Sequence, residues 1–314
     1  VTAIDPELEP LLERMPTRPF GADTLEADRA GMRAVWSGAG PPPADGVTRS
    51  ERRVPGTDVG VVVFEPAVRT GVVPALLFIH GGGFVGDTAD NGAPFNRRIV
   101  AELGIMVVSV DYRLAPEARY PSQIEDCYAA LRWLHSEAAE LGVDPTRIAA
   151  EGVSAGGALA AALALMARDK AEFPPLVLQS LIYPMLDDRS VAPDGVTGEI
   201  AWFRESNDFG WSCLLGADAV GGPDVSPYAA PARATDLSGL PPTYIGAAGL
   251  DLLVYQDLDY ATRLIAAGVP TRVEVYPRTF HGFDVGTARV SEDFKRSRLA
   301  VLRRGLGIST GDAS

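Results

Sequence analysis

A serine hydroxyl attacks at neutral pH only beside a base, so the first residues to weigh are a serine in a glycine-flanked turn and the few histidines. Gly152-Val153-Ser154-Ala155-Gly156 has the Gly-x-Ser-x-Gly pattern. A strand-like run from Ile148 to Ala150 leads in and an apolar helical run from Ala155 to Ala167 leads out, the context in which this turn lifts a serine clear of a sheet. Small residues suit it because side chains at 152 and 156 would collide with neighbouring backbone. The helix N-terminus beneath Ser154 favours negative charge on an attacked oxygen. An ordinary strand-to-helix turn has the same appearance, so the pentapeptide counts only together with its partners.

The chain has three histidines. His80 opens His80-Gly81-Gly82-Gly83-Phe84, where successive glycines leave amides unshielded. With the amide of Ala155 they could hold a tetrahedral oxyanion, a contact worth ~3 to 4 kcal/mol per donor. The alternative, a phosphate loop, lacks the Gly-Lys-Ser/Thr or Gly-x-Gly-x-x-Gly that would accompany it. His135 lies in a predicted helix, Asp126 to Leu141, where Arg132, Glu137 and Glu140 suggest a solvated face. His281, in Phe280-His281-Gly282-Phe283, follows the strand-like Val273 to Tyr276, and loops beyond the carboxyl ends of parallel strands are where such a sheet places its chemistry. The acid should fall between serine and histidine. Asp251 fits best, after Thr243 to Ala247 and a short turn; Asp257 and Asp259 are weaker, inside the predicted helix Tyr255 to Gly268. Asp251 would accept the imidazole's Nδ1 proton and fix its tautomer; capping that helix is its alternative role.

These groups need a scaffold. Runs at Val59 to Phe64, Ala75 to Ile79, Met106 to Val110, Ile148 to Ala150, Val177 to Ile182, Thr243 to Ile245 and Val273 to Tyr276 alternate with helical segments such as Ile124 to Leu141, Ala155 to Lys170 and Tyr255 to Gly268. That rhythm predicts an α/β fold on a mostly parallel sheet, covered on both faces. Before Gly40-Pro41-Pro42-Pro43 the chain reads as acidic amphipathic helix (Asp5 to Arg14, Thr24 to Trp36) with no strand. Ser190 to Gly221, with Trp202, Phe203, Phe209 and Trp211, reads as an insertion packed over the sheet's edge. A serine at 154, a histidine at 281 and a glycine loop at 80 can meet only on one sheet, so a single domain over 1–314 is expected.

Composition narrows the partners. The 314 residues are 46% hydrophobic and 22% charged, with 28 Lys+Arg against 41 Asp+Glu for a net charge of -13. A disordered chain is excluded by the apolar share, and nucleic acid by the lack of clustered cations. The longest apolar stretches, Val72 to Ile79 and Ala158 to Ala167, are shorter than the ~20 residues that span a bilayer, so no stable membrane insertion is expected. Cys127 and Cys213 stand outside any metal-binding spacing and read as buried thiols. No export segment is visible, so the expected location is cytoplasmic.

Four motifs in one order, His80-Gly81-Gly82-Gly83-Phe84, Tyr112-Arg113-Leu114-Ala115-Pro116-Glu117, Gly152-Val153-Ser154-Ala155-Gly156-Gly157 and His281-Gly282-Phe283, carry a resemblance. Together with Ser226-Pro227-Tyr228 and the run Asp236 to Pro242, they make the chain similar, over nearly its whole length, to the bacterial hormone-sensitive-lipase-like esterases. The resemblance implies an α/β-hydrolase fold with a helical cap formed by about 1–45 and 190–221. By position it implies Ser154 as nucleophile, Asp251 as acid and His281 as base, with the amides of Gly82, Gly83 and Ala155 as oxyanion hole. The implied activity is hydrolysis of small-molecule esters of short acyl chains, without cofactor or metal; a homodimer is left open. Phe84, Trp202, Phe203, Phe209, Trp211 and Leu252 are candidate pocket walls. Two positions depart from the family pattern: Val153 stands where most relatives have Asp or Thr, and Leu252 where Asp-Pro-Leu is common. The same constellation would also serve an amide, thioester or lactone, and a ligand-binding relative without turnover is the rival from another class; such relatives replace the base, whereas His281 is present.

Overall fold

The computed structural model describes residues 4–37, 46–69, 71–189, 197 and 200–309. Its strands are β1 (Val47–Arg53), β2 (Gly60–Pro66), β3 (Val73–Ile79), β4 (Met106–Asp111), β5 (Val143–Val153), β6 (Gln179–Ile182), β7 (Thr243–Ala248) and β8 (Thr271–Tyr276). They form one sheet in the order β1-β2-β4-β3-β5-β6-β7-β8. β1 and β2 are antiparallel additions at one edge, and every pairing from β4 to β8 is parallel.

Each of the seven runs read as strands falls on a strand of this sheet, although Val59 precedes β2 and Val177 and Leu178 precede β6. β1 was not among them, because Val47-Thr48-Arg49-Ser50-Glu51-Arg52-Arg53 has no apolar alternation. It is an edge strand whose charged side chains face solvent, a composition that discourages pairing with another chain.

The helices are α1 (Glu9–Leu12), α2 (Leu25–Ser37), α3 (Ala93–Leu103), α4 (Ser122–Ser136), α5 (Ala138–Leu141), α6 (Ala155–Lys170), α7 (Arg204–Leu215), α8 (Val254–Ala266) and α9 (Arg289–Gly305). The predicted helix Asp5 to Arg14 is shorter than expected, a 3-10 turn over Pro6–Leu8 followed by α1. The predicted Ile124 to Leu141 helix divides at Glu137 into α4 and α5. His135 does not sit on a fully solvated face: it is half-buried, its ring stacked on Phe173 at 4.7 Å. The proline breaker at 40–43 and most of 190–199 fall outside the described residues.

Successive residues of a strand point to opposite faces, and both faces here are covered. Leu77, Ile79, Val108, Val110, Ile148 and Ala150 face one apolar layer with α4, α6 and α8. Leu76, Phe78, Val107 and Ala149 face a second with α3 and α9. That is why the strands read as continuous apolar runs. Helix α6 lies against the middle of the sheet, and its Ala and Gly residues let it approach closely. Both cysteines are free and buried, and among the described residues no helix is long and apolar enough to cross a membrane.

Candidate active site

Ser154 stands between β5 and α6, near the centre of the sheet. Its backbone has φ 57° and ψ -120°, a left-handed conformation that costs a non-glycine residue of order 1–3 kcal/mol and persists only where surrounding contacts enforce it. Those contacts are present: the Ser154 N–H donates to Ile182 O at 2.9 Å, and its carbonyl accepts from Gly157 and Met185. A Cβ on Gly156 would collide with the carbonyls of Ile79 and His80, and one on Gly152 with Gly156 O. Glycine at these two positions therefore lets β3, β5 and α6 meet at this turn.

Asp251 follows β7 and His281 follows β8. The two turns are tied by backbone bonds, Gly249 N to Tyr276 O at 2.9 Å and Leu250 N to Thr279 O at 2.8 Å. Asp251 Oδ2 lies 2.6 Å from His281 Nδ1, and His281 Nε2 lies 2.9 Å from Ser154 Oγ. A carboxylate only accepts, so Nδ1 carries the proton and Nε2 is left to accept from the serine hydroxyl. The second carboxylate oxygen, Oδ1, accepts from Leu253 N–H at 3.2 Å, which fixes the Asp251 rotamer without the family's proline; Leu252 is buried in the core beside it. The Asp251 side chain is shut away from water while that of His281 keeps 12% exposure. Asp257, the weaker candidate acid, is buried in α8 with both oxygens unpartnered and its pKa pushed well above the carboxylate range, first by desolvation and then by Asp251. Asp259 is on the surface near Arg263.

The glycine loop after β3 runs beside this serine. Gly82 and Gly83 both take positive φ, 94° and 61°, a conformation that glycine adopts without steric cost. The loop is held from below. His80 is fully buried, and burial lowers its pKa; as a neutral ring it donates from Nδ1 to Gly81 O at 2.9 Å and stacks on Tyr112 at 4.2 Å. Tyr112 Oη reaches the His80 and Gly81 carbonyls at 3.0 and 3.1 Å. Nothing in the reading of single residues pointed to Tyr112 as support for this loop; its place in the quoted Tyr112 to Glu117 motif was the available signal.

The aromatic candidates separate into two groups. Trp202 lies over the site: its ring is 5.8 Å from the His281 ring, and a Cβ on Gly83 would run into its six-membered ring. Phe84 and Trp211 pack on each other at 5.1 Å in the core. Phe209 packs beside Leu25, Val85, Ala115 and Cys213, and Phe203 is half-buried at the start of α7. Tyr183, which sequence reasoning passed over, presents its ring to His281 at 4.6 Å and 58°. Helix α2 is fastened beside the site by Arg29, which donates to Val85 O, to Ala115 O and to both oxygens of Glu117. Among the described residues no group of three or more His, Cys, Asp or Glu could hold a metal ion.

The alpha/beta hydrolase fold family matches residues 76–285. Carboxylesterase NlhH of Mycobacterium tuberculosis is 39% identical over 297 residues, 89% of this chain and 88% of that protein. Esterase LipI of the same organism is 36% identical over 305 residues, covering 92% and 90%. Among solved structures, bacterial heroin esterase superposes with a TM-score of 0.91 at 42% identity, covering 97% of this chain and 98% of that one. A parallel sheet with its serine turn at the centre, joined to these likenesses, places the chain in the hormone-sensitive-lipase-like group of the alpha/beta hydrolase fold family, as a carboxylic ester hydrolase.

Proposed function

We propose that this esterase cleaves short-chain acyl esters through a Ser154-His281-Asp251 triad and an acyl-enzyme. The observation that carries the reading is the continuous hydrogen-bonded path from Ser154 Oγ through His281 to Asp251, 2.9 and 2.6 Å. His281 Nε2 takes the hydroxyl proton as Oγ bonds to the ester carbonyl carbon. The negative charge that develops on the carbonyl oxygen is received by the amides of Gly82, Gly83 and Ala155. Collapse of the tetrahedral intermediate breaks the bond to the leaving oxygen, which receives the proton from Nε2. Water then repeats the sequence on the acyl-enzyme, releasing the acid and restoring the serine. Asp251 stays ionised throughout and stabilises the imidazolium. No cofactor enters any step.

The segments 1–45 and 190–221 act in this reading as a cap on a single domain. Support comes from the attachment of α2 through Arg29, from Phe20 N–H donating to Ser206 Oγ at 3.0 Å, and from the seat of Trp202 between Gly83 and His281. With Trp202 over the reacting centre, short acyl groups are the expected substrates, and lengthening the acyl chain should lower kcat/KM.

The test is Ser154→Ala assayed on p-nitrophenyl butyrate, with parent enzyme assayed on p-nitrophenyl esters of increasing acyl length and after treatment with an organophosphate. Ser154→Ala should lose at least about 10^4-fold in kcat, and the organophosphate should abolish activity at one equivalent per chain. Full hydrolysis by Ser154→Ala would overturn the triad; a maximum on long, insoluble triglycerides would overturn the short-chain assignment.

A further inference from the structure

Behind the site lies a buried polar chain that none of these steps uses. Glu151, on β5 three residues before Ser154, accepts from Ser180 Oγ at 2.7 Å and from Arg298 Nη2 at 2.8 Å. The other end of the same guanidinium, Nη1, donates to Asp284 Oδ2 at 2.7 Å. Asp284 stands three residues after His281, and its second oxygen accepts from Tyr183 Oη at 2.5 Å. The ring of that tyrosine is the one that faces His281. Arg298 comes from α9, and its guanidinium lies over the Phe95 ring at 4.2 Å, with Phe294 on a further side at 5.6 Å.

Every member of the chain is buried, Arg298 to 2% exposure and Glu151 completely. A charge so placed is costly unless paired and hydrogen-bonded, and here one guanidinium serves two carboxylates. A plain stabilising role would be met as well by packed apolar residues of similar volume. What the ions add is geometry: the planar fork can hold two carboxylates only in a fixed direction, and those carboxylates belong to the strand that leads to the serine and the turn that leads from the histidine. Burial and Asp284 also push the Tyr183 hydroxyl well above its ordinary pKa, so it remains a donor throughout the working range.

We propose that Arg298 is a positioning residue, which clamps the His281 turn to the Ser154 strand through Asp284 and Glu151 and, through Asp284 and Tyr183, fixes the face of the histidine ring. This rests on the triad reading above. Displacement of a reacting group by about 1 Å costs about 10^2-fold in rate, so the clamp acts on kcat and leaves substrate affinity nearly unchanged. The groups that meet His281 itself are Asp251, Ser154, Tyr183 and Trp202.

A cleft of about 290 Å3 gives the experiment its means, since Asn96, Arg98 and Lys295 line it together with Arg298, Asp284 and Tyr183. Removing the Arg298 side chain would extend this cleft, between α3 and α9, towards Asp284. Arg298→Lys, which keeps the charge and loses the fork, Tyr183→Phe, which keeps the ring and loses the donor, Asp284→Asn and Arg298→Ala are compared with parent enzyme. Activity is expressed per serine titrated by an organophosphate, so that loss of folded protein does not count as loss of rate.

The expected result is a fall in kcat per titrated site of about 10-fold for Tyr183→Phe and 10- to 100-fold for Arg298→Lys, with KM changed less than about twofold. Asp284→Asn, which weakens one of the two carboxylate ends of the fork, should lower kcat per titrated site by a similar factor, again with KM changed less than about twofold. Millimolar methylguanidinium should restore part of the rate of Arg298→Ala and leave the parent unaffected. A structural brace would lower Tm and the number of titratable sites while leaving kcat per site alone. If Arg298→Lys and Tyr183→Phe both keep parental kcat per site, the clamp is overturned while an inactive Ser154→Ala leaves the triad standing; an active Ser154→Ala overturns both. Should Arg298→Ala fail to fold, Arg298→Lys and Tyr183→Phe decide the matter.

Discussion

Asp257 and Asp251 lie six positions apart, one in the helix and one in the turn before it, and their environments differ. Asp251 has two donors, His281 Nδ1 and Leu253 N, whereas Asp257 has no partner and is buried against it. Desolvation raises the Asp257 pKa in the folded state above its value in the unfolded chain, so folding strengthens proton binding. The sign follows from linkage: the contribution to stability is full below the ordinary carboxylate pKa and is lost as pH rises towards the folded value. Asp257→Asn is neutral at every pH. Its Tm, relative to parent, should therefore gain on going from about pH 5 to about pH 8; equal differences at both pH values would show that the buried carboxyl is not held neutral. His80 makes the complementary case, since burial lowers its pKa and a permanently neutral ring can keep its Nδ1 donor on Gly81 O.

At the scale of elements, the glycine loop and α2 are each held by one side chain from the 112–117 segment. Tyr112 supports the loop through two carbonyls, so Tyr112→Phe should lower kcat by about 10-fold through misaimed amides while KM stays close to parental. Gly82→Ala should do more. Its φ of 94° disfavours any side chain and a Cβ would collide with Gly86 O, so a loss of about 10^2-fold or more in kcat is expected, the scale of losing an oxyanion donor. Unchanged kcat in both variants would remove the loop from the mechanism.

Glu117 binds α2 through Arg29, whose guanidinium holds the Glu117 carboxyl down to a pKa of about 2. A depressed pKa contributes stability above the ordinary glutamate value, lost as pH falls through about 2. Because Glu117 is largely exposed, solvent screens the pair, and the effect belongs to the attachment of α2 rather than to global stability. Arg29→Met should thus speed proteolysis around residues 12–25 and raise KM, while Tm falls little; equal digestion rates would show that α2 is held by other contacts.

Across the whole molecule the charge of -13 acts on substrate approach. Like charges repel over a Debye length of about 8 Å at physiological ionic strength. An ester bearing a free carboxylate should therefore show kcat/KM rising with added salt, whereas a neutral ester of equal length should show none; a flat response for both would mean that the local field at the site is not negative.

The seven strand runs and the helix after Ser154 were legible because a sheet covered on both faces needs unbroken apolar residues, and this constraint is local. Ser154, Asp251 and His281, the residues of the proposed triad, could be singled out for a different reason: three histidines are few, and the serine turn requires small neighbours at 152 and 156. Charged edge strand β1 was not legible, since it is a strand only by pairing with β2, and neither was the division of the aromatics, where Trp202 meets His281 while Phe84 and Trp211 fill the core. The sequence alone thus determined the fold class and the esterase family, and it singled out the residues proposed to react. Tertiary structure alone brought Arg298 to Glu151 and Asp284, 147 and 14 positions away, because a buried charge has no periodicity to betray it and is decided only by which partners the packed sheet and α9 bring within reach.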